Sequence, residues 1–269
     1  MSLVAATPLR LVAFGDLQGM VWGAAVDAGE PAIVFGTPVA SEAVAGAEHI
    51  QFRVEGDRWH LTGPGFDLLV SAPEPLADAA SGAEVTPPAD SAPSALATPP
   101  AAPGPSATGD DELCAITGTV TVSGSEQTIE CLGTRSTDPD FERDGLDSLR
   151  SVAGWFGPHR GVTLRALRPQ RSRGQEGDRV SASLFEPEGR IEVDEPRLST
   201  TYAAADRPVR TSLELWIGAG EEQYPRRAAA EALGAGGAAK SDNLSLQVTP
   251  LRCHAGGLEG AGVYLVARF

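Results

Sequence analysis

The stretch 117–135, TGTVTVSGSEQTIECLGTR, contains two alternating runs of strand-forming residues on either side of a Gly-Ser pair. With Gly124 and Ser125 as a two-residue turn of type II′, Val120 faces Ile129 across an antiparallel hairpin. This register places the apolar side chains on one face and the threonines on the other, and a one-residue slip would mix the two sets. The stretch therefore predicts a β-hairpin with one buried face.

The same alternation of apolar and polar residues recurs along most of the chain. Residues 9–71 divide into short strand-like runs, and further alternating runs cover much of 151–269. One segment is ambiguous: residues 225–234, PRRAAAEALG, fit either a short helix that begins at a proline or an alanine-rich strand. The pattern as a whole predicts an all-β, antiparallel fold.

Residues 72–112 differ from the rest in composition. They are rich in proline, alanine and serine and contain no aromatic or basic residue. Such a segment cannot bury enough apolar surface to offset its ordering entropy. We expect a disordered linker or insertion at 72–112, between an N-terminal β half at 1–71 and a C-terminal β-barrel-like domain at 113–269.

Charge and cysteine usage exclude several classes of function. The net charge of -15 argues against a nucleic-acid or anionic-membrane partner, because phosphate binding needs a positive field. No apolar run approaches the roughly 18 residues of a membrane span, and the N-terminus does not fit a signal peptide. Cys114, Cys131 and Cys253 have neither disulfide-framework nor zinc-site spacing. These features predict a cytoplasmic protein.

Two charged segments were considered as binding sites. The acidic loop around Asp140 and Asp144 resembles the start of an EF-hand, but its twelfth position is Ser151 instead of a bidentate glutamate, so we predict no metal site. An arginine-rich stretch could hold a carboxylate or phosphate, or could simply offset the acidity of the chain. Its members are Arg165, Arg168, Arg171, Arg173 and Arg179. No cofactor motif is present, and we expect no cofactor.

Three stretches in residues 113–269 resemble the double-calycin proteins grouped with hydroxyneurosporene synthase. They are VTVSGSEQTIECLGTR at 120–135, ELWIGAGEEQYPRRAAAEALG at 214–234 and GLEGAGVYLVARF at 257–269. The resemblance implies two lipocalin-like antiparallel barrels, the first of them shortened to residues 1–71. It also implies apolar ligands such as carotenoids, terpenoids or other lipids. The hydratase members of the family add water across an isoprenoid double bond.

The chain departs from this family directly after Arg135. Many members have Asp-His-Ser-Trp-Gly there, whereas residues 136–140 read STDPD, so the histidine and tryptophan are missing and Asp138 is the candidate acid. We therefore predict non-catalytic binding of a lipophilic small molecule in a barrel pocket. The alternatives are a hydratase-, cyclase- or isomerase-like enzyme acting on an isoprenoid, and a structural or interaction module. The candidate ligand-binding residues are Arg135, Trp155, Trp216 and Tyr264.

Overall fold

The computed structural model describes residues 8–73, 110–172, 177–203, 207–218 and 224–269. Every regular element in these ranges is a β-strand, and every pair of neighbouring strands is antiparallel. The predicted all-β antiparallel class is confirmed. The described part contains no helix long and apolar enough to cross a membrane.

The first sheet has nine strands and curls into what we call the first barrel. They are β1 (Leu9–Gly15), β2 (Trp22–Asp27), β3 (Pro31–Gly36), β4 (Ser41–Ala45), β5 (Gln51–Glu55), β6 (Arg58–Gly63), β7 (Phe66–Ser71), β8 (Asp110–Val122) and β9 (Ser125–Asp138). Their spatial order is β4-β3-β2-β1-β9-β8-β7-β6-β5. The β8–β9 hairpin thus lies in the middle of the sheet, between β1 and β7.

The second sheet curls into the second barrel. Its strands are β10 (Leu146–Gly157), β11 (Arg160–Pro169), β12 (Arg179–Glu186), β13 (Gly189–Glu192), β14 (Glu195–Tyr202), β15 (Pro208–Ile217), β16 (Tyr224–Ala232), β17 (Gly237–Lys240), β18 (Ser245–Ala255) and β19 (Leu258–Arg268). The order is β13-β12-β11-β10-β19-β18-β16-β15-β14, and β17 pairs with β18.

The central hairpin forms, but its register differs from the prediction. Ser123 and Gly124 make the turn with φ angles of 52° and 76°, and Val120 faces Gln127 instead of Ile129. Positive φ at both turn positions is the requirement of a type I′ turn, so the turn is of this type and lies one residue earlier than predicted. Because the pairing shifts by two residues, each side chain keeps its face, and the predicted sorting of apolar and polar faces holds.

The ambiguous segment 225–234 is a strand for most of its length, since β16 covers Tyr224–Ala232. It pairs with β15 on one side and with β18 on the other. Ala228 and Ala230 are buried in the second barrel. Tertiary pairing therefore prevails over the helix propensity of an alanine-rich sequence.

The hydrogen bonding changes the division of the chain that the sequence suggested. The hairpin was assigned to the domain 113–269, but β8 and β9 pair with β7 and β1, so residues 110–138 belong to the first sheet. Residues 110–112, predicted as the end of the linker, are part of β8. Residues 74–109, which make up most of that linker, lie outside the described residues.

Buried apolar side chains form three clusters. One fills the concave side of the first barrel, a second fills the concave side of the second barrel, and the third lies between the two sheets. The last cluster joins side chains of β1, β2 and β3 to side chains of β10, β18 and β19. The two barrels therefore pack against each other through an apolar interface.

A buried carboxylate connects the two sheets at one edge of this interface. Asp111 accepts hydrogen bonds from Ser136 Oγ at 2.6 Å and from Thr163 Oγ1 at 2.7 Å. Arg165 Nη2 lies 3.2 Å from Asp111 Oδ1, and both side chains are nearly inaccessible to solvent. Because Ser136 belongs to the first sheet and the other partners to the second, Asp111 fixes the position of one sheet relative to the other.

The turn assignment can be tested by paired substitutions. We expect Ser123→Val to lower the free energy of unfolding by about 1–2 kcal/mol, because a β-branched residue is strongly disfavoured at positive φ. Ser125→Val is the control, since Ser125 lies in the extended strand β9. Urea denaturation of both variants makes the comparison. Greater destabilisation by Ser125→Val would favour the register predicted from sequence.

A second pair of variants tests the buried carboxylate. Asp111→Asn removes the charge that faces Arg165, and we expect a loss of about 3 kcal/mol in the free energy of unfolding. The control is Asp110→Asn, because the Asp110 side chain is 90% exposed. Urea denaturation of the control should match the unchanged protein. Equal midpoints for both variants would show that Asp111 does not hold the sheets together.

Candidate functional site

The largely apolar interior of the second barrel also contains a group of polar and charged side chains in contact with one another. We call Arg150, Arg168, Asp178, Tyr202 and Tyr264 the phenol–arginine cluster. Strand alternation explains why it points inward: Arg150 and Val152 share a face of β10, and Val152 is the direct partner of Tyr264. Five different stretches of chain thus contribute to one end of the barrel.

The two phenols of this cluster contact each other. The hydroxyl oxygens of Tyr202 and Tyr264 are 3.0 Å apart, and Thr200 Oγ1 donates to Tyr264 Oη at 3.4 Å. Tyr264 is buried, whereas Tyr202 is 39% exposed. The cluster therefore extends from the barrel interior to solvent.

Two arginines of the cluster share one carboxylate. Arg168 Nε donates to Asp178 Oδ1 at 3.0 Å, and Arg150 Nη2 donates to Asp178 Oδ2. The Asp178 side chain is 1% exposed and that of Arg150 is 9% exposed. Two guanidinium groups against one carboxylate leave the cluster, as described, with one excess positive charge.

Burial determines the protonation of these groups. It raises the pKa of Tyr264 above that of an ordinary tyrosine, and the neighbouring Tyr202 raises this pKa further. Burial alone would lower the pKa of Arg150, but Tyr264, Tyr202 and Asp178 outweigh it and raise that pKa. At neutral pH Tyr264 is therefore a neutral hydrogen-bond donor beside a charged guanidinium.

A cavity of about 440 Å³ opens at the opposite end of the second barrel. Its apolar wall includes Val162, Leu184 and Leu215. Arg226 and Glu186 form an ion pair of 2.9 Å at its rim. Val162 lies two residues along β11 from the level of Tyr264, a distance of about 7 Å. The volume falls in the range of small-molecule sites.

The cysteine inside the second barrel is unsuited to nucleophilic chemistry. Cys253 packs over Gly262, where a Cβ atom would lie 2.6 Å from the Cys253 Sγ. Burial raises the pKa of the Cys253 thiol to about 12. Since the thiolate is the reactive form, this thiol is inert at neutral pH.

The four residues predicted to bind a ligand lie in separate places, and Arg135 is in the first barrel. Its Nε donates to Glu112 Oε2 at 2.6 Å, and its guanidinium lies 5.6 Å from the centroid of the Trp59 ring. Arg135 also donates to the Asp57 carbonyl. These contacts hold the side chain within the first barrel, away from Tyr264.

The two predicted tryptophans are also outside the interior of the second barrel. Trp155 is fully buried between the two sheets, where its Nε1 donates to the Gly15 carbonyl at 3.0 Å. Trp216 is half-buried on the outer face of β15 and stacks with Arg197, whose Cζ is 5.6 Å from the ring centroid. Of the four predicted residues, Tyr264 is the one in the phenol–arginine cluster.

The arginine-rich stretch does not form a single site. Arg165 pairs with Asp111 between the sheets, and Arg168 pairs with Asp178 in the second barrel. Arg179 lines a separate cavity of about 510 Å³ together with the candidate acid Asp138 and the acidic loop. Arg173 lies outside the described residues. Among the residues that are described, no set of three His, Cys, Asp or Glu side chains is placed to hold a metal ion.

Sequence analysis missed Arg150, Asp178 and Tyr202. A usable signal was present for Arg150, which interrupts the run LDSLRSVAGWF at a position where alternation points it to the same side as Val152. An inward charge in a strand needs a buried partner, which is a reason to look for a functional cluster. The position of Asp178 next to an arginine-rich loop offered no comparable signal.

No protein-family model and no curated protein matches this sequence. Solved structures do match the fold. CghA is 13% identical with a TM-score of 0.60, over 97% of this chain and 88% of CghA. A putative AttH from Nitrosomonas europaea is 11% identical with a TM-score of 0.58, over 99% of this chain and 96% of that protein. Kievitone hydratase from Nectria haematococca is 8% identical with a TM-score of 0.56, over 97% of this chain and 88% of the hydratase.

These matches define the class of fold: the chain has a double-barrel, calycin-like fold. They also correct the functional prediction. Non-catalytic lipid binding was inferred because the histidine and tryptophan after Arg135 are missing, but a protein with this fold is by name a hydratase. The enzymatic alternative is therefore the better supported one.

The raised pKa of Tyr264 predicts a pH dependence of stability. In the unfolded chain Tyr264 loses its proton at about pH 10, the ordinary tyrosine pKa. In the folded chain it keeps the proton to higher pH, so in this pH range the folded chain binds more protons than the unfolded chain. The free energy of unfolding should therefore fall as pH rises above about 10, and it should fall less in Tyr264→Phe. Denaturation at a series of pH values tests this. Identical slopes in the two proteins would contradict it.

Proposed function

We propose that this chain is an enzyme that acts on an apolar small molecule in the second barrel. In this proposal Tyr264 donates a hydrogen bond to a substrate oxygen, and the charge of Arg150 stabilises the negative charge that develops there. The observation that carries the proposal is the phenol–arginine cluster in a largely apolar interior. Perturbed ionisable groups in such a setting are typical of catalytic sites.

The cluster favours one type of chemistry over another. Direct protonation of an alkene needs a strong acid, and neither a phenol of raised pKa nor a guanidinium is one. Both are suited to stabilising an oxyanion, because they donate hydrogen bonds and one carries positive charge in a site with little water. We therefore propose a substrate whose double bond is conjugated to a carbonyl group.

Hydration, ring closure and double-bond migration in a conjugated carbonyl compound share an early event. Electron density moves from the carbon framework onto the carbonyl oxygen as a carbon–nucleophile bond forms or a carbon–hydrogen bond breaks. Tyr264 and Arg150 would stabilise this enolate-like state. The proton released by the attacking nucleophile or by the C–H bond would pass to solvent at the exposed Tyr202 side of the cluster, and solvent would return a proton to carbon or oxygen. The same cluster thus fits a hydratase, a cyclase or an isomerase.

The comparisons support a small-molecule enzyme without identifying the substrate. Kievitone hydratase is by name a hydratase, and CghA has also been solved with Sch210972. We retain two further proposals from the sequence. One is the grouping with hydroxyneurosporene synthase, which favours an isoprenoid substrate; the other is a cytoplasmic location.

The proposal predicts the kinetics of two cluster variants. Conjugated isoprenoid carbonyl compounds, including β-ionone and retinoic acid, are incubated with the protein and the products are identified by mass spectrometry. We expect Tyr264→Phe and Arg150→Met to lower kcat by about 100-fold, the usual cost of removing one oxyanion donor. With the neutral substrate β-ionone, KM should change little in either variant, because the interaction strengthens mainly in the transition state.

The matched control is Arg210→Met, since Arg210 is exposed and pairs with Glu231 outside the barrel. Its kcat should equal that of the unchanged protein. Conversion of no conjugated carbonyl compound, or full activity in Tyr264→Phe, would overturn the proposed function. Thermal melting of each variant shows whether an activity loss reflects unfolding.

A further inference from the structure

Among the buried polar atoms of the described residues that lack a hydrogen-bond partner, three belong to side chains that face the interior of the second barrel. They are Arg150 Nε, Thr211 Oγ1 and Thr249 Oγ1. A buried polar atom without a partner costs free energy, so native structures rarely contain several in one place. Their concentration in one barrel indicates that another molecule satisfies them.

Strand register places the two threonines beside the Tyr264 side chain. Thr249 is the direct partner of Tyr264 across β18 and β19. Thr211 is the direct partner of Thr200, whose hydroxyl donates to Tyr264 Oη. Side chains of directly paired residues share a face of the sheet, so both threonines face the barrel interior with Tyr264.

The charge at this end of the barrel is also unbalanced. Arg150 and Arg168 oppose Asp178, so the described cluster carries one net positive charge, although the chain as a whole has a net charge of -15. A buried charge without full compensation is unfavourable. An anion that binds there would remove this cost and would also accept hydrogen bonds from Arg150 and the two threonines.

We propose that the substrate of this site carries a carboxylate, held by Arg150 Nε and by the hydroxyls of Thr211 and Thr249. This inference rests on the proposed function and names the substrate class: an apolar, conjugated carbonyl compound with an acidic end. The carboxylate binds beside Tyr264, and the apolar body extends toward the cavity at Val162 and Leu215. Arginine suits a carboxylate because of its planar set of donors.

The test compares all-trans-retinoic acid with its methyl ester, which has the same apolar body without the charge. Binding to the full chain is followed by quenching of tryptophan fluorescence and by calorimetry. We expect the acid to bind at least about tenfold more tightly than the ester, the smallest effect typical of a hydrogen bond to a charged group. Equal affinities, or binding of neither molecule, would overturn the inference.

Variants assign the effect to this cluster. Arg150→Met should weaken binding of the acid by about tenfold and leave binding of the ester unchanged. Arg168→Met should act in the same direction by a smaller factor; because the Arg168 side chain is 28% exposed, it provides the test if Arg150→Met does not fold. Arg210→Met, whose arginine is exposed, should bind both molecules normally. Loss of acid and ester binding together in a folded Arg168→Met would contradict the carboxylate assignment.

This experiment can fail independently of the proposed function. Equal binding of the acid and the ester would show that the proposed carboxylate site is wrong. The kinetic effect of Tyr264→Phe would still decide whether the protein is an enzyme. Conversely, selective binding of the acid without conversion of any conjugated carbonyl compound would support the carboxylate site and contradict the proposed enzymatic function.

Discussion

The structure depends on two strands that are buried on both faces. β10 and β19 pair with each other in the middle of the second sheet, and each separates the barrel interior from the interface with the first sheet. Along β19, Val263 and Leu265 pack into the interface while Tyr264 and Val266 face the interior. Strict alternation therefore sets, residue by residue, which side chains join the barrels and which can meet a ligand.

This constraint explains why a charged side chain points into the second barrel. Arg150 follows Leu149, which packs into the interface, and precedes Val152 by two residues, so strand alternation directs its side chain into the second barrel. There Asp178 and the tyrosines offset part of the desolvation cost. Replacing such a cluster with apolar residues is often neutral or stabilising, so stability alone does not account for its presence.

The fold class could be predicted from the sequence because the alternation of apolar and polar residues identifies strands even where their exact register is predicted wrongly. The hairpin register was wrong by two residues, yet its buried face was right, since an even shift preserves alternation. The strand at β16 could not be decided locally, because partners far along the chain determine it. The phenol–arginine cluster was harder to predict from the sequence. Arg150, Asp178 and Tyr202 come together only when the sheet curls into a barrel, and no spacing in the sequence indicates that contact.

Non-catalytic binding was predicted from the absence of reactive groups after Arg135, and the structure places that position in the first barrel. The missing histidine and tryptophan follow Arg135, and that arginine is held by Glu112 and Trp59 within the first barrel. A fold of two similar barrels offers two interiors, and a fold does not determine which of them carries the reaction. Loss of reactive groups from one barrel therefore says little about the other. The second barrel holds a neutral phenol and a guanidinium, which can polarise a carbonyl oxygen without any strong acid.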